Sequence, residues 1–92
     1  LHPSHVSALN LMGFALRRLG QFDKAEKYYE GALLLNPLHI GALNYIGQLF
    51  LQTGRPDKAK EMLSRLKSVC EDGCKELDHL QKAVDTGVAG DY

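Results

Sequence analysis

Hydrophobic residues recur at steps of three and four positions through most of the chain, and this spacing predicts amphipathic α-helices. In the first stretch, Val6, Leu9, Met12 and Leu16 fall on one apolar face. The same reading continues along the chain and predicts five helices, over residues 6–19, 22–35, 40–53, 56–69 and 74–84. The pattern therefore predicts an all-α fold.

Glycine and proline mark the ends of these predicted helices. Gly20 and Gly54 follow the first and third helices, where a glycine in the left-handed conformation is a common cap. Pro37 ends the second helix because proline cannot continue the hydrogen-bond ladder, and Pro56 begins the fourth, where its missing N–H costs nothing. Residues 87–92 show no periodicity, so we expect a flexible tail there.

The chain also repeats itself at a spacing of 34 positions without a gap. Ten residues recur at this spacing, in the pairs Pro3/Pro37, His5/His39, Ala8/Ala42, Leu9/Leu43, Asn10/Asn44, Gly13/Gly47, Gly20/Gly54, Asp23/Asp57, Lys24/Lys58 and Ala25/Ala59. A fixed period of this length is typical of a solenoid, in which each unit stacks on its neighbour to bury a core. We therefore divide a single domain, residues 1–86, into a first repeat over about 6–39, a second over about 40–73 and a terminal capping helix over 74–86.

Two glycines lie inside predicted helices, in register with alanines one helix further on. Gly13 matches Ala25 in this way, and Gly47 matches Ala59. Glycine within a helix costs about 1 kcal/mol relative to alanine, so its recurrence requires a compensating contact. We expect each glycine to face the alanine, which would let the two helix backbones approach closely.

The two units resemble the tetratricopeptide repeat, in which large residues, a central glycine, an alanine, an aromatic residue and a final proline stand at fixed spacings. The first unit supplies Leu9, Met12, Gly13, Leu16, Ala25, Tyr29 and Pro37 at these places. The second supplies Leu43, Ile46, Gly47, Phe50, Ala59 and Leu63. The second unit departs from the pattern at Glu71, where the family has proline. Residues 74–86 resemble the extra helix that seals such arrays.

This resemblance implies a right-handed superhelix (an α-α superhelix) of antiparallel helix pairs, with a concave groove that binds peptides or partner proteins and no catalysis. In such arrays the first helix of each pair lines the groove. The predicted groove residues of this chain are Asn10, Phe14, Arg17, Asn44, Gln48, Leu51 and Lys75. Asparagine both donates and accepts hydrogen bonds, so Asn10 and Asn44 could bind a peptide main chain; the alternative is that both are solvated helix residues.

Composition narrows the class of partner. Eleven basic residues balance eleven acidic ones, so no net charge favours nucleic acid or anionic lipid. No apolar run approaches the roughly 20 residues needed to span a bilayer, so we predict no membrane insertion. The chain has no Ser-His-Asp order and no phosphate loop. We therefore predict a non-catalytic scaffold or adaptor module that binds a protein or peptide and uses no cofactor or metal.

Cys70 and Cys74 flank a predicted Glu-Asp-Gly turn between the fourth and fifth helices. Two thiols cannot complete a zinc site, and the spacing is not that of a thioredoxin-type motif. A disulfide, a pair of reduced thiols and a weak metal site remain open, and with them a thiol-redox or metal-handling role. The stretch from Cys70 to Leu77 also resembles small exported bacterial tetratricopeptide proteins, which implies an oxidising compartment such as the periplasm; the alternative is the cytoplasm.

Self-association is an alternative role for the chain. Leu11 and Phe14 are apolar residues that we expect on the exposed N-terminal side of the first helix. Either a second copy covers them, giving a homodimer, or a preceding segment does. The pattern begins in mid-phase at Pro3, so we expect the chain to be a piece of a longer protein. A groove filled by the chain's own tail is a further form of this alternative.

Overall fold

The computed structural model of the chain describes residues 3–90. It contains five helices, α1 (Pro3–Arg18), α2 (Phe22–Leu35), α3 (Ile40–Gln52), α4 (Pro56–Val69) and α5 (Lys75–Thr86). The regular structure within this range is entirely helical, which confirms the predicted all-α fold. Among these described helices none is long and apolar enough to cross a membrane.

Glycines close the first helix of each repeat. Gly20 and Gly54 have φ angles of 79° and 73°, in the left-handed region that only glycine enters without strain. The N–H of the next residue then donates back into the helix, from Gln21 to the Leu16 carbonyl at 2.9 Å and from Arg55 to the Phe50 carbonyl at 2.8 Å. Both predicted caps are therefore confirmed, and each allows the chain to reverse into the second helix of its pair.

Helix α3 begins at a cap that the sequence pattern did not predict. The Nδ1 atom of His39 accepts the Ala42 N–H at 3.0 Å. This bond satisfies one of the N–H groups that the first turn of a helix leaves without a partner.

The helices pack around α3. Helix α1 pairs with α2 and α3 pairs with α4, while α5 packs on both α3 and α4. Helix α3 contacts all four other helices, and eight of its 13 residues are buried. The main core cluster consists of Ala25, Tyr29, Leu43, Ile46, Leu49, Phe50, Ala59, Met62, Leu63, Leu66 and Leu80. A smaller cluster of Val6, Ala32 and Ala42 joins α1, α2 and α3.

The nearest neighbours of the helical glycines are large side chains and not the alanines that we expected. A Cβ at Gly13 would lie 2.6 Å from the ring of Tyr29, and a Cβ at Gly47 would lie 2.7 Å from the methyl carbons of Leu80. Tyr29 and Leu80 are both completely buried, so neither can move aside easily. Each glycine therefore receives the side chain of a neighbouring helix.

A disulfide joins Cys70, directly after α4, to Cys74, directly before α5. The two α carbons are 5.8 Å apart. Within the enclosed turn, the Gly73 N–H donates to the Cys70 carbonyl at 2.8 Å. Of the three states considered for these cysteines, the structure has the disulfide, which ties the beginning of α5 to the end of α4.

We predict opposite effects for two glycine-to-alanine substitutions within helices. Both Gly13→Ala and Gly31→Ala gain the same helix propensity, about 1 kcal/mol. Only Gly13→Ala must displace the buried Tyr29 ring, because a Cβ at Gly31 would meet Leu9 at an ordinary distance of 3.5 Å. Overpacking of this kind costs about 1–3 kcal/mol. Denaturant unfolding should therefore show Gly13→Ala less stable than Gly31→Ala by about that amount, and equal stability would contradict the Tyr29 contact.

We also predict that the disulfide stabilises the chain. Replacing both Cys70 and Cys74 by serine opens a five-residue loop, for which the chain-entropy model gives a loss of about 2 kcal/mol. The measurement is denaturant unfolding of the double variant and of the unsubstituted chain, each with and without a thiol reductant. The reductant should destabilise only the unsubstituted chain. A reductant-independent midpoint for that chain would contradict the prediction.

Candidate functional site

The segment that follows α5 lies against α1 and α3. The Nη2 atom of Arg17 donates to the Gly90 carbonyl at 2.7 Å, and the Gly90 N–H donates to Oε1 of Gln48 at 2.8 Å. One side chain from each repeat thus binds the same residue's main chain. We call the surface of α1, α3 and α5 around this residue the inner face, and the two hydrogen bonds the Gly90 site.

Gln48 is completely buried, and its amide connects three elements. Its Nε2 atom donates to Oδ1 of Asn44, one turn earlier in α3, at 3.0 Å. The same atom donates to the His79 carbonyl of α5 at 3.3 Å. These two bonds orient the amide, so that its oxygen is presented to the Gly90 N–H.

Arg17 is 5% exposed although its guanidinium is charged. Its Nε atom donates to Oε1 of Gln52 in α3, which holds the planar group in place. The Nη2 atom then donates to Gly90. Because a donor that carries charge forms a stronger hydrogen bond than a neutral one, Arg17 is suited to bind a main-chain carbonyl.

Aromatic rings fill the space between α1, α2 and α3. The ring centroids of Phe14 and Tyr45 are 5.1 Å apart, and those of Tyr29 and Tyr45 are 6.0 Å apart. Burial raises the pKa of the Tyr29 hydroxyl, so the group stays neutral at physiological pH. Its oxygen and Oδ1 of Asn10 are both buried, with no hydrogen-bond partner within the described part of the chain.

Asn44 and Gln48, which we predicted to line the groove, do not face an open groove in the structure. Both are buried, because α5 and the segment after it cover this part of α3. Asn10 is also buried, at 8% exposure, so neither asparagine is the solvated residue of the alternative interpretation. Asn44 instead orients Gln48.

The other predicted groove residues fall in different environments. Arg17 forms the Gly90 site together with Gln48, and Phe14 is half-buried against Tyr45. Leu51 packs against the main core cluster. Lys75 is exposed in the first turn of α5, away from the Gly90 site.

Gly90 is the part of this site that the sequence did not predict. Gly90 lies in the predicted flexible tail, yet it is hydrogen-bonded through both its N–H and its carbonyl. Residues 91 and 92 of that predicted tail lie outside the described residues.

Two surface clefts border Gly90. One lies along α5 and is lined by His79, Lys82, Ala83, Thr86, Val88, Ala89 and Gly90. The other lies at the end of α1 and is lined by Arg17, Arg18, Gly20, Phe22, Gln52 and Gly90. Basic or imidazole side chains line both clefts, and no carboxylate is among these described lining residues.

The structure also bears on the residues considered for self-association and for metal binding. Leu11 is 62% exposed, whereas Phe14 is covered by Tyr45 and is not part of an open apolar surface. Homodimerisation stays a prediction. Within residues 3–90 no group of three or more His, Cys, Asp or Glu side chains could hold a metal ion.

Comparison with known proteins agrees with the helical repeat. Searches of curated proteins and of solved structures gave no significant match. A protein-family model described as tetratricopeptide repeat matches residues 4–72, which is most of the chain and includes helices α1 to α4. The chain therefore belongs to the tetratricopeptide repeat family.

Proposed function

We propose that this chain is a protein-interaction module that binds the main chain of a partner peptide on its inner face. Tetratricopeptide repeats generally mediate protein–protein interaction, and the family is typically non-catalytic. What the chain itself adds is a pair of side chains already arranged to bind a peptide group. The Gly90 site is the observation that carries the proposal.

The geometry of the Gly90 site suits any peptide main chain. Gln48 supplies an acceptor and Arg17 a donor to the N–H and carbonyl of one residue. These are groups that every residue except proline offers, so the site binds a backbone without reading a side chain. Binding of this kind suits a repeat module whose partner lies extended across several helices.

Because these two side chains are buried, both need hydrogen-bond partners. A buried hydrogen-bonding group without a partner costs about 1–3 kcal/mol, and more when the group is charged. Arg17 and Gln48 are both more than nine-tenths buried, so an apolar surface placed against them would leave them unsatisfied. A peptide main chain satisfies both at once, which favours a peptide as the occupant of this face.

The proposal predicts that Arg17 is needed for peptide binding. The reference for this experiment is a chain that carries Gly90→Pro, because the chain's own Gly90 also binds Arg17 and would be weakened in parallel. Peptides selected from a displayed random library on this reference chain should bind it at least tenfold more weakly when Arg17→Met is added, a loss of about 1.4 kcal/mol or more. Isothermal titration measures the affinities, and circular dichroism with thermal unfolding verifies that each variant is folded.

Arg65→Met is the matched control for this experiment. Arg65 is an exposed arginine of α4 that pairs only loosely with Glu61, at 3.5 Å. Added to the same reference chain, the control removes the same charge from a helix outside the inner face, so selected peptides should bind it as they bind the reference chain. Peptides that bind Arg17→Met and Arg65→Met equally well would refute the proposed site.

A further inference from the structure

We infer that residues 88–90, the Gly90 segment, are an internal ligand of the inner face, and that an acidic peptide is the partner that displaces them. This inference rests on the proposed function. It adds that the site is occupied in the free chain, so a partner competes with the protein's own backbone. It also assigns a chemical class to that partner.

The turn after α5 directs the chain onto the inner face. Gly87 adopts a left-handed conformation with φ 74°, and its N–H donates to the Ala83 carbonyl at 2.8 Å. The Val88 N–H then donates to the hydroxyl oxygen of Thr86 at 3.3 Å. These bonds fix how the chain leaves the helix, so little conformational freedom is lost when Gly90 reaches Arg17 and Gln48.

The Gly90 segment is held by its backbone and has little side-chain anchoring. Val88 is 69% exposed, Ala89 has only a methyl group, and Gly90 has no side chain. A tethered segment acts at an effective concentration of the order of millimolar, so even weak contacts keep it bound. A longer peptide that makes the same backbone contacts and adds side-chain contacts can replace it.

The charges around the site favour an acidic replacement. Helix α1 contains Arg17 and Arg18 and no acidic residue, and α3 contains no charged residue. The acidic residues of α5, Glu76, Asp78 and Asp85, are not among the residues that line either cleft. Lys82 and His79 line the cleft on the α5 side of Gly90. A peptide whose carboxylates enter the two clefts would meet complementary charge in each of them. In the chain's own sequence an aspartate, Asp91, follows Gly90.

The test uses the segment itself as a separate peptide. The probe is a fluorescein-labelled peptide with the sequence of residues 86–92, amidated so that Asp91 is the only carboxylate of its peptide part. The dye is the same in every probe. Gly90→Pro removes the N–H that Gln48 accepts and should release the tethered segment. Gly90→Ala keeps this N–H and is the control. Fluorescence anisotropy should show the probe binding Gly90→Pro at least tenfold more tightly than it binds the unsubstituted chain or Gly90→Ala.

The outcomes separate this inference from the proposed function. Equal, measurable affinity for all three chains would overturn the internal ligand while leaving peptide binding intact. Failure of the probe to bind Gly90→Pro would overturn the internal ligand, while the selected peptides and Arg17→Met test the proposed function independently. An independent measurement is amide hydrogen exchange of Gly90 in the free chain, which should be slowed at least tenfold relative to an unstructured peptide; exchange at the unstructured rate would overturn the internal ligand.

A second probe tests the chemical class of the partner. The same peptide carrying Asp91→Asn should bind Gly90→Pro at least threefold more weakly at low ionic strength, and the difference should shrink as salt is added. Equal binding of the two probes would overturn the preference for an acidic partner.

Discussion

The completely buried amide of Gln48 is the interaction on which the inner face depends. Its nitrogen donates to Asn44 and to the His79 carbonyl, and its oxygen accepts from Gly90. A buried amide must be hydrogen-bonded, because its desolvation is costly otherwise. Helix α3 contacts every other helix, and this amide connects it both to α5 and to the chain after α5. The contact of the buried Leu80 with Gly47 and the hydrogen bond to the His79 carbonyl together fix the position of α5 on α3.

Much of the fold could be predicted from the sequence because both repeats contain the same signals for helix ends and for apolar faces. The period of 34 places Gly20 and Gly54 where the backbone must adopt positive φ, and the apolar spacing places each helix within a few residues of its observed limits. The start of α1 was predicted at residue 6 but lies at Pro3, since the apolar pattern begins later than the helix does. The Tyr29 contact of Gly13 could not be predicted, because spacing shows that a glycine needs room but not which side chain takes it.

The family resemblance predicted Arg17 and Gln48 on the groove side, but the period of 34 gave no signal for them because they lie at positions where the two repeats differ. Phe14 and Gln48 are equivalent at the spacing of 34, as are Arg17 and Leu51, and Arg18 and Gln52. In the first repeat Phe14 meets Tyr45, whereas in the second Gln48 meets Gly90. Identities between repeats therefore report on packing shared by both units. A site that joins the units needs different residues in each, and the period gives no signal for it.

The asymmetry extends to the repeated asparagines. Asn44 is satisfied because Gln48 lies one turn later in its helix, while the equivalent neighbour of Asn10 is Phe14, which cannot donate a hydrogen bond to it. The same side-chain oxygen thus accepts a hydrogen bond in one repeat and is buried without a partner among the described residues in the other. The same residue type in both repeats therefore does not make the same interaction when the neighbouring residue differs.

The position of Gly90 follows from a series of structural constraints, the first of which is the disulfide. The bond between Cys70 and Cys74 fixes the start of α5 against α4, and the Gln48 bond to the His79 carbonyl fixes its middle. Helix α5 is largely polar, with only Leu80 and Ala83 buried, so its apolar packing is modest and these two constraints matter more than they would in a core helix. Gly87 then ends the helix in a left-handed turn toward the inner face. Loosening either constraint would displace the turn, and Gly90 would no longer align with Arg17 and Gln48. The terminal helix therefore both seals the repeats and positions the segment that occupies their inner face.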